Sequence, residues 1–313
     1  MTGANEPVAV FGEALVDDFG TSQVVGGAPF NVARHLAAFG AAPLMLTRIG
    51  SDAGGVLVRE QLARFGMRSQ GVQVDPARPT GRVLVERDGA GHRFVILPDQ
   101  AWDHIESAPL LHALAGETPA LLYAGTLARR APDSRAALAA LLAASAAPRF
   151  LDLNLRASQV GDACVLAALH EADIAKLNEE ELAWLHDAAG QPRPPGEDAC
   201  GDAAAAACAA LMARFGLREL VVTLGARGAL WFGADGARLQ ARAGAPACLA
   251  DTVGAGDAFS AVFVLGVVRG WPRAATLARA AAFASAICGV HGAVPPDPSF
   301  YAPWRAQWRA GPT

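Results

Sequence analysis

A mostly parallel α/β fold is the architecture this sequence predicts, and three observations carry the prediction. Short apolar strands alternate with Ala- and Leu-rich helical stretches over most of the 313 residues. Strands separated by helices imply a parallel sheet covered on both faces. The composition is 52% hydrophobic, enough for a large core. Near residue 72 the alternation is broken by a hairpin pattern, which marks a small strand-built appendage.

In chain order, Val8–Gly12 reads as a first buried strand. Pro29–Phe39 reads as a helix, with Pro29 in its first turn and Gly40 at its end. Leu44–Ile49 is a second strand. Val56–Phe65 is helical, with Leu57, Leu62 and Phe65 as the inward positions. Arg82–Glu86 and His92–Leu97, joined through Asp88-Gly89-Ala90-Gly91, form a β-hairpin with Phe94 and Ile96 on the face opposite Val95. Strands then follow at Leu121–Ala124, Arg149–Leu153, Asp173–Leu177 and Glu219–Leu224, separated by helices. The Ala203–Ala207 run is helical bias. Gln191–Asp198 is a loop, and Trp304 and Trp308, at i and i+4, dock a final helix. Ligands of such sheets bind outside the carboxyl ends of the strands, so the polar residues there deserve the closest reading.

Net charge is −4 with no Lys/Arg block, which argues against nucleic acid and anionic membrane as partners. The first residues lack a basic stretch followed by an apolar one, so no secretory signal is read there. The apolar run from Ala258 to Val268 is too short to span a bilayer. A cytoplasmic protein is expected. Five cysteines, Cys164, Cys200, Cys208, Cys248 and Cys288, include no Cys-x-x-Cys pair. Reduced thiols are the expectation, with no disulfide frame or zinc site.

The most informative stretch is Asp251-Thr252-Val253-Gly254-Ala255-Gly256-Asp257, followed by an apolar helix. The amides and dipole of a helix start make an anion site. An Asp beside an anion site repels a bound phosphate, so binding alone does not explain Asp257. It makes sense if Asp257 takes a proton from a hydroxyl that attacks a phosphoryl group held by those amides. The plainer alternative is an N-cap or first-turn acid.

Other candidates cluster near predicted strand ends. Gly26-Gly27-Ala28-Pro29-Phe30-Asn31 is a second glycine turn before a helix, where Asn31 could read a polyol or simply satisfy local backbone. Asp17 could accept sugar hydroxyls, whereas Asp18 reads as a solvated loop acid. Asp152, Asn154 and Arg156 share one face if their strand continues. Asn178 and Glu181 would share a helical face, with oxygens suited to Mg²⁺ through water, or would be ordinary first-turn residues. Thr223-Leu224-Gly225-Ala226-Arg227-Gly228 either admits a nucleotide phosphate or only reverses the chain. No Gly-x-x-x-x-Gly-Lys-Ser/Thr loop occurs, so phosphate charge must be met by metal, helix-start amides and Arg side chains.

Taken together, the block from Gly26 and the block Asp251–Asp257 running into Ala258-Phe259 resemble the N- and C-terminal signatures of the PfkB (ribokinase-like) carbohydrate kinase family. The likeness spans about Val8 to Pro295. Gly12-Glu13-Ala14-Leu15-Val16-Asp17 and Asp152-Leu153-Asn154-Leu155-Arg156 resemble the fructokinase and 2-keto-3-deoxygluconate kinase branch. The resemblance implies a three-layer α/β/α ribokinase-like fold in a single domain over 1–313, with lid strands from about 13–25 and 78–103. It implies an ATP-dependent sugar kinase in which Asp257 is the general base and Gly254, Ala255 and Gly256 help form the anion hole. It places Asp17, Gly27, Asn31, Asn154 and Arg156 on the sugar. Asn178, Thr223, Gly225 and Gly228 fall on the nucleotide, and Glu181 on Mg²⁺ through water. Asp251 and the Val253 carbonyl fall on a monovalent cation such as K⁺, the rest of whose site lies in Ala286–Gly292. The exposed lid strands are open to pairing with a second subunit.

Three other readings compete. A sugar-acid or nucleoside kinase would keep the chemistry and change the acceptor, Arg156 being the candidate partner of an acid. A dinucleotide-dependent oxidoreductase needs a third glycine where the chain has Phe259. A sugar-binding regulator on a kinase fold would have no need of Asp257.

Overall fold

The computed structural model describes residues 7–88, 91–156, 158–193, 201–244 and 248–309. The predicted hairpin turn residues Gly89 and Ala90, residues 194–198 of the predicted loop, Cys200 and the first six residues lie outside the described residues. The chain forms two compact units, Met1–Leu122 with Leu127–Ala147, and Tyr123–Thr126 with Pro148–Thr313.

The first unit contains β1 (Pro7–Phe11), β2 (Leu15–Asp18), β3 (Gln23–Gly26), α1 (Ala28–Ala38), β4 (Ala42–Gly50), α2 (Ala53–Arg64), β5 (Val72–Asp75), β6 (Gly81–Asp88), β7 (Gly91–Ile96), α3 (Ser107–Leu114), the start of β8 (Leu121–Gly125) and α4 (Pro132–Ala144). Its larger sheet has the order β8-β1-β4-β5, with β1–β4 and β4–β5 parallel. Its second sheet has the order β3-β2-β6-β7. That sheet joins the predicted hairpin to the segment after β1, with β2 parallel to β6 and antiparallel to β3.

Local chemistry sets these boundaries. Gly27, at φ 101°, precedes α1, and Pro29 lies in its first turn. Asp52 caps α2 by accepting from the Gly55 amide at 2.9 Å, and it also accepts from the Thr80 hydroxyl at 2.6 Å. Burial works against the ionised Asp52, but the Thr80 and Gly55 bonds outweigh it and hold its pKa below the ordinary carboxylate value. α2 turns Val58 and Leu62 fully inward, whereas Leu57 and Phe65 are half-buried. The helix begins at Ala53, three residues before the predicted start, and Val58 with Leu62 forms its i, i+4 seam.

The segment after β7 is a short 3₁₀ turn, Ala101–His104, rather than a strand. Trp102 is fully buried there, and a Cβ at Gly81 would lie 2.5 Å from its ring. Arg130 covers the indole at 4.2 Å and binds Asp103 at 2.7 Å. Asp18, expected to be solvated, is 8% exposed and pairs with Arg82 at 2.5 Å. The parallel β2–β6 register sets Asp18 beside Leu84, bringing the hairpin's arginine within reach.

The second unit contains the end of β8, then β9 (Arg149–Asp152), α5 (Asp162–His170), β10 (Ile174–Asn178), α6 (Glu179–Ala188), α7 (Asp202–Phe215), β11 (Glu219–Thr223), β12 (Ala229–Gly233), β13 (Arg238–Ala241), α8 (Ala255–Val268), α9 (Arg273–Ile287) and α10 (Ala302–Arg309). Its strand order is β8-β9-β10-β11-β12-β13. β9, β10 and β11 run parallel, and β12 and β13 add antiparallel pairs at the edge. β12 and β13 lie beyond the strands that the sequence pattern predicts, which end at β11. The core here includes Leu151, Leu169, Leu177, Leu211, Phe215 and Val222. The final helix docks as expected: Trp304 lies 5.5 Å from Phe283, edge to face, and Trp308 is 8% exposed.

Candidate active site

The second unit gathers its polar groups at the carboxyl ends of β9, β10 and β11 and at the start of α8. Gly254 precedes that helix at φ 76°. A Cβ at this position would lie 2.4 Å from the Ala293 Cα. Only glycine fits both demands. The N-cap position belongs to Gly254, so Asp257 is a first-turn residue and not the cap. It is half-buried. The Ala255 amide donates to Thr252 at 3.3 Å, and the amide of Gly256 follows it in the first turn, where helix-start donors face outward. Gly256 has an ordinary φ, and the one group close to an added Cβ is the Lys176 Nζ, at 3.3 Å.

Lys176 was assigned no role from the sequence. It is 6% exposed and its ammonium donates to Asp152 Oδ1 at 3.0 Å. The parallel β9–β10 register pairs these two residues directly. Burial opposes the charged lysine, but Asp152, Glu181 and Asp257 outweigh it and raise its pKa above the ordinary value. Asp152 Oδ2 accepts from Ser260 Oγ at 2.6 Å and from the Tyr123 hydroxyl at 3.2 Å.

Asn178 and Glu181 form a reciprocal capping box at the start of α6. Asn178 Oδ1 accepts from the Glu181 amide, and Glu181 Oε2 accepts from the Asn178 amide, each at 2.8 Å. Glu181 Oε1 accepts from the Leu155 amide at 2.7 Å, which brings the 154–156 segment to the same place. Burial raises the pKa of Glu181, with Lys176 opposing the rise. Among the described residues no group of three or more His, Cys, Asp or Glu can hold a metal ion. Each Glu181 oxygen accepts a backbone bond and keeps one lone pair, a donor set that fits an outer, water-mediated contact to Mg²⁺.

The shared face expected for Asp152, Asn154 and Arg156 does not form. β9 ends at Asp152, and Asn154 turns to φ 39°, breaking the alternation. Asp152 is fully buried, Asn154 half-buried and Arg156 exposed. One strand over, Thr223 pairs with Asn178 in register. Gly225, at φ 56°, borders open space, whereas Gly228 is required because a Cβ there would lie 1.9 Å from the Ala241 carbonyl. Asp251 Oδ1 accepts from the Val253 amide at 3.0 Å, and its Oδ2 accepts from Gly292 at 3.2 Å. Cys288 and Gly292, inside the stretch Ala286–Gly292 expected to complete the cation site, therefore meet Asp251. A carboxylate with neighbouring carbonyls is a donor set that fits a monovalent cation.

The first unit assembles a second cluster. Asp17 reaches across β3, so that a Cβ at Gly26 would lie 2.5 Å from its Oδ2. This sets the carboxylate just ahead of α1, whose first turn carries Asn31. Asn31 is 5% exposed and accepts from Arg34 through Oδ1. Gly27 has a packing reason of its own, since a Cβ there would lie 2.5 Å from the Glu13 carbonyl oxygen.

The pfkB family carbohydrate kinase model matches residues 5–299. A fructokinase of Klebsiella pneumoniae is 32% identical over 280 residues, covering 84% of this chain and 85% of its own. A fructokinase from Vibrio cholerae O395, solved with fructose, ADP and potassium ion, has a TM-score of 0.76 at 25% identity, covering 96% of this chain and 99% of that one. A fructokinase from Xylella fastidiosa with bound ATP has a TM-score of 0.79 and covers 98% of this chain and 100% of that one; at 20% identity it bears on the fold alone.

Proposed function

The chain belongs to the pfkB family of carbohydrate kinases and has its ribokinase-like α/β fold, and we propose that it moves the γ-phosphoryl of ATP to a hydroxyl of fructose. The observation that carries the chemistry is Asp257 in the first turn of a helix whose N-cap is Gly254, a glycine held at positive φ. Asp257 takes the proton of the attacking hydroxyl, and the positive start of the helix meets the charge that develops on the phosphoryl oxygens. Thr223, Gly225, Gly228 and Asn178 serve the nucleotide, Gly225 by leaving space for it. Mg²⁺, when bound, neutralises phosphate charge, and Glu181 orients its water shell. Asp251, the Val253 carbonyl and the 288–292 segment hold the monovalent cation.

The fructokinase relatives support a neutral ketose over a sugar acid or nucleoside. ADP release measured with ketoses, aldoses, sugar acids and nucleosides should give fructose the highest kcat/KM. A nucleoside or sugar acid used tenfold better than fructose would overturn the substrate reading.

Asp17 and Asn31 serve the sugar, with Asn154 and Arg156 assisting. Asp17→Asn should weaken fructose binding by about 10- to 100-fold, the worth of a hydrogen bond to a charged group, and leave ATP binding near its original strength. Calorimetry showing the reverse moves Asp17 to the nucleotide.

The sheet β3-β2-β6-β7 serves as the lid and as the contact of a cytoplasmic homodimer. Phe19, Val24 and Phe94 are exposed on or beside it. No helix among the described residues is long and apolar enough to cross a membrane. Fructose should slow amide exchange in β6 and β7, and deletion of Val83–Val95 should yield a monomer with raised sugar KM. Unchanged exchange together with unchanged sugar kinetics in the deletion removes the lid role.

A further inference from the structure

One buried carboxylate ties three elements to the helix that carries the proposed base. Asp152 is fully buried. Its Oδ2 receives Ser260 Oγ from α8 and the Tyr123 hydroxyl from β8, and its Oδ1 receives the Lys176 ammonium from β10. Ser260 follows Asp257 by three residues, so both lie on one face of α8. The ammonium on the other side of Asp152 would lie 3.3 Å from a Cβ added at Gly256. A buried lysine and a buried aspartate are costly unless each satisfies the other. An Asn–Met or Leu–Leu pair would fill this space with less desolvation. The charged pair therefore asks for a reason beyond packing.

We propose that Asp152 is a positioning residue for phosphoryl transfer: through Ser260 it fixes the first turn of α8, and through Lys176 it holds an ammonium against the same turn. The inference rests on the kinase reading of Asp257. The groups that set the charge state of Lys176 are Asp152 on β9, Glu181 on α6 and Asp257 on α8. In water the ammonium would be hydrated and mobile. Here it is dry and aimed, so it adds a fixed positive charge where the helix dipole already favours an anion. Asp152 itself stays out of the chemistry, because its donors surround it and it is closed to solvent.

Two variants separate the two arms. Ser260→Ala removes the tie to α8 and puts the best helix former at a helical position. The double variant Asp152→Asn/Lys176→Met removes the ammonium together with the carboxylate it is bonded to and keeps an acceptor for Ser260. Each is assayed for kcat and for both KM values, with thermal unfolding to establish that it is folded. Ser260→Ala is also examined by hydrogen exchange without substrates. Ser260→Ala should exchange faster in the first turn of α8 and lose about tenfold in kcat, since small displacements of a reacting group cost this much or more. The double variant should lose at least as much kcat. Both KM values should stay within about twofold, the signature of an interaction made in the transition state. Folded variants that melt earlier but keep the original kcat reduce Asp152 to a stabilising role and overturn the proposal. So does a fall in kcat for Ser260→Ala with unchanged exchange in α8. Failure of the underlying kinase reading looks different, because Asp257→Asn would then keep its turnover.

Discussion

Asp257→Asn is expected to lower kcat by about 10²- to 10⁴-fold while the protein remains folded. The fold is expected to survive because Asp257 is not the cap of α8: Gly254 occupies that position. A first-turn acid gains about 0.3–1 kcal/mol from the helix dipole, too little to unfold a domain of this size when lost. The amide of Asn is nearly isosteric and can still donate or accept a hydrogen bond, but it cannot take a proton from an alcohol at neutral pH. The loss should therefore appear in kcat at saturating ATP and sugar, with the affinity for both little changed. A folded Asp257→Asn enzyme turning over at the original rate would remove proton acceptance from this residue.

The second large effect is expected at Gly254. Its φ of 76° lies in the left-handed region, which costs an L-residue roughly 1–2 kcal/mol. Space forbids the substitution as well. A Cβ would approach the Ala293 Cα and Cβ to 2.4 Å and the Ala293 carbonyl oxygen to 2.8 Å. Main-chain atoms of the 293 segment cannot rotate away as a side-chain tip can, so the start of α8 must move. A shift of about 1 Å in a reacting group costs on the order of 10²-fold in rate. Gly254→Ala should lose that much in kcat, with a smaller change in sugar affinity. Loss confined to sugar binding, in a folded variant, would show that this turn serves the sugar and not the phosphoryl group.

Much of this was readable without coordinates. The strands at β1, β4, β8, β9, β10 and β11 are apolar runs bounded by turn residues, and that pattern depends only on local sequence. The start of α8 was legible because its two glycines and the acid stand side by side. What depends on register was not legible. Asp152 and Lys176 are 24 positions apart, and their pairing follows from how β9 lies against β10. A signal was nonetheless present, since Lys176 sits between Ala175 and Leu177 in a buried strand, and a lysine there needs a partner. The shared face of Asp152, Asn154 and Arg156 failed for the opposite reason. A strand was extended through Asn154, a residue type that tolerates positive φ and here adopts it. β12 and β13 escape the pattern because only a 3₁₀ turn at Gly225–Arg227, and no α-helix, separates β11 from Ala229–Gly233, which breaks the βα rhythm.

The contact between Gly254 and Ala293 also governs how this chain can be recombined with its relatives. The two positions are far apart in sequence but are moulded to each other at backbone distance. Asp251 binds the same second segment through Gly292, and Cys288 accepts from both Ala250 and Asp251. Segments 250–257 and 288–293 thus behave as one inherited part. A chimaera that imports one of them from another family member while keeping the native copy of the other brings together two surfaces shaped for different neighbours. Crossover points for hybrid enzymes belong outside this span, before residue 250 and after residue 293, so that both segments travel together.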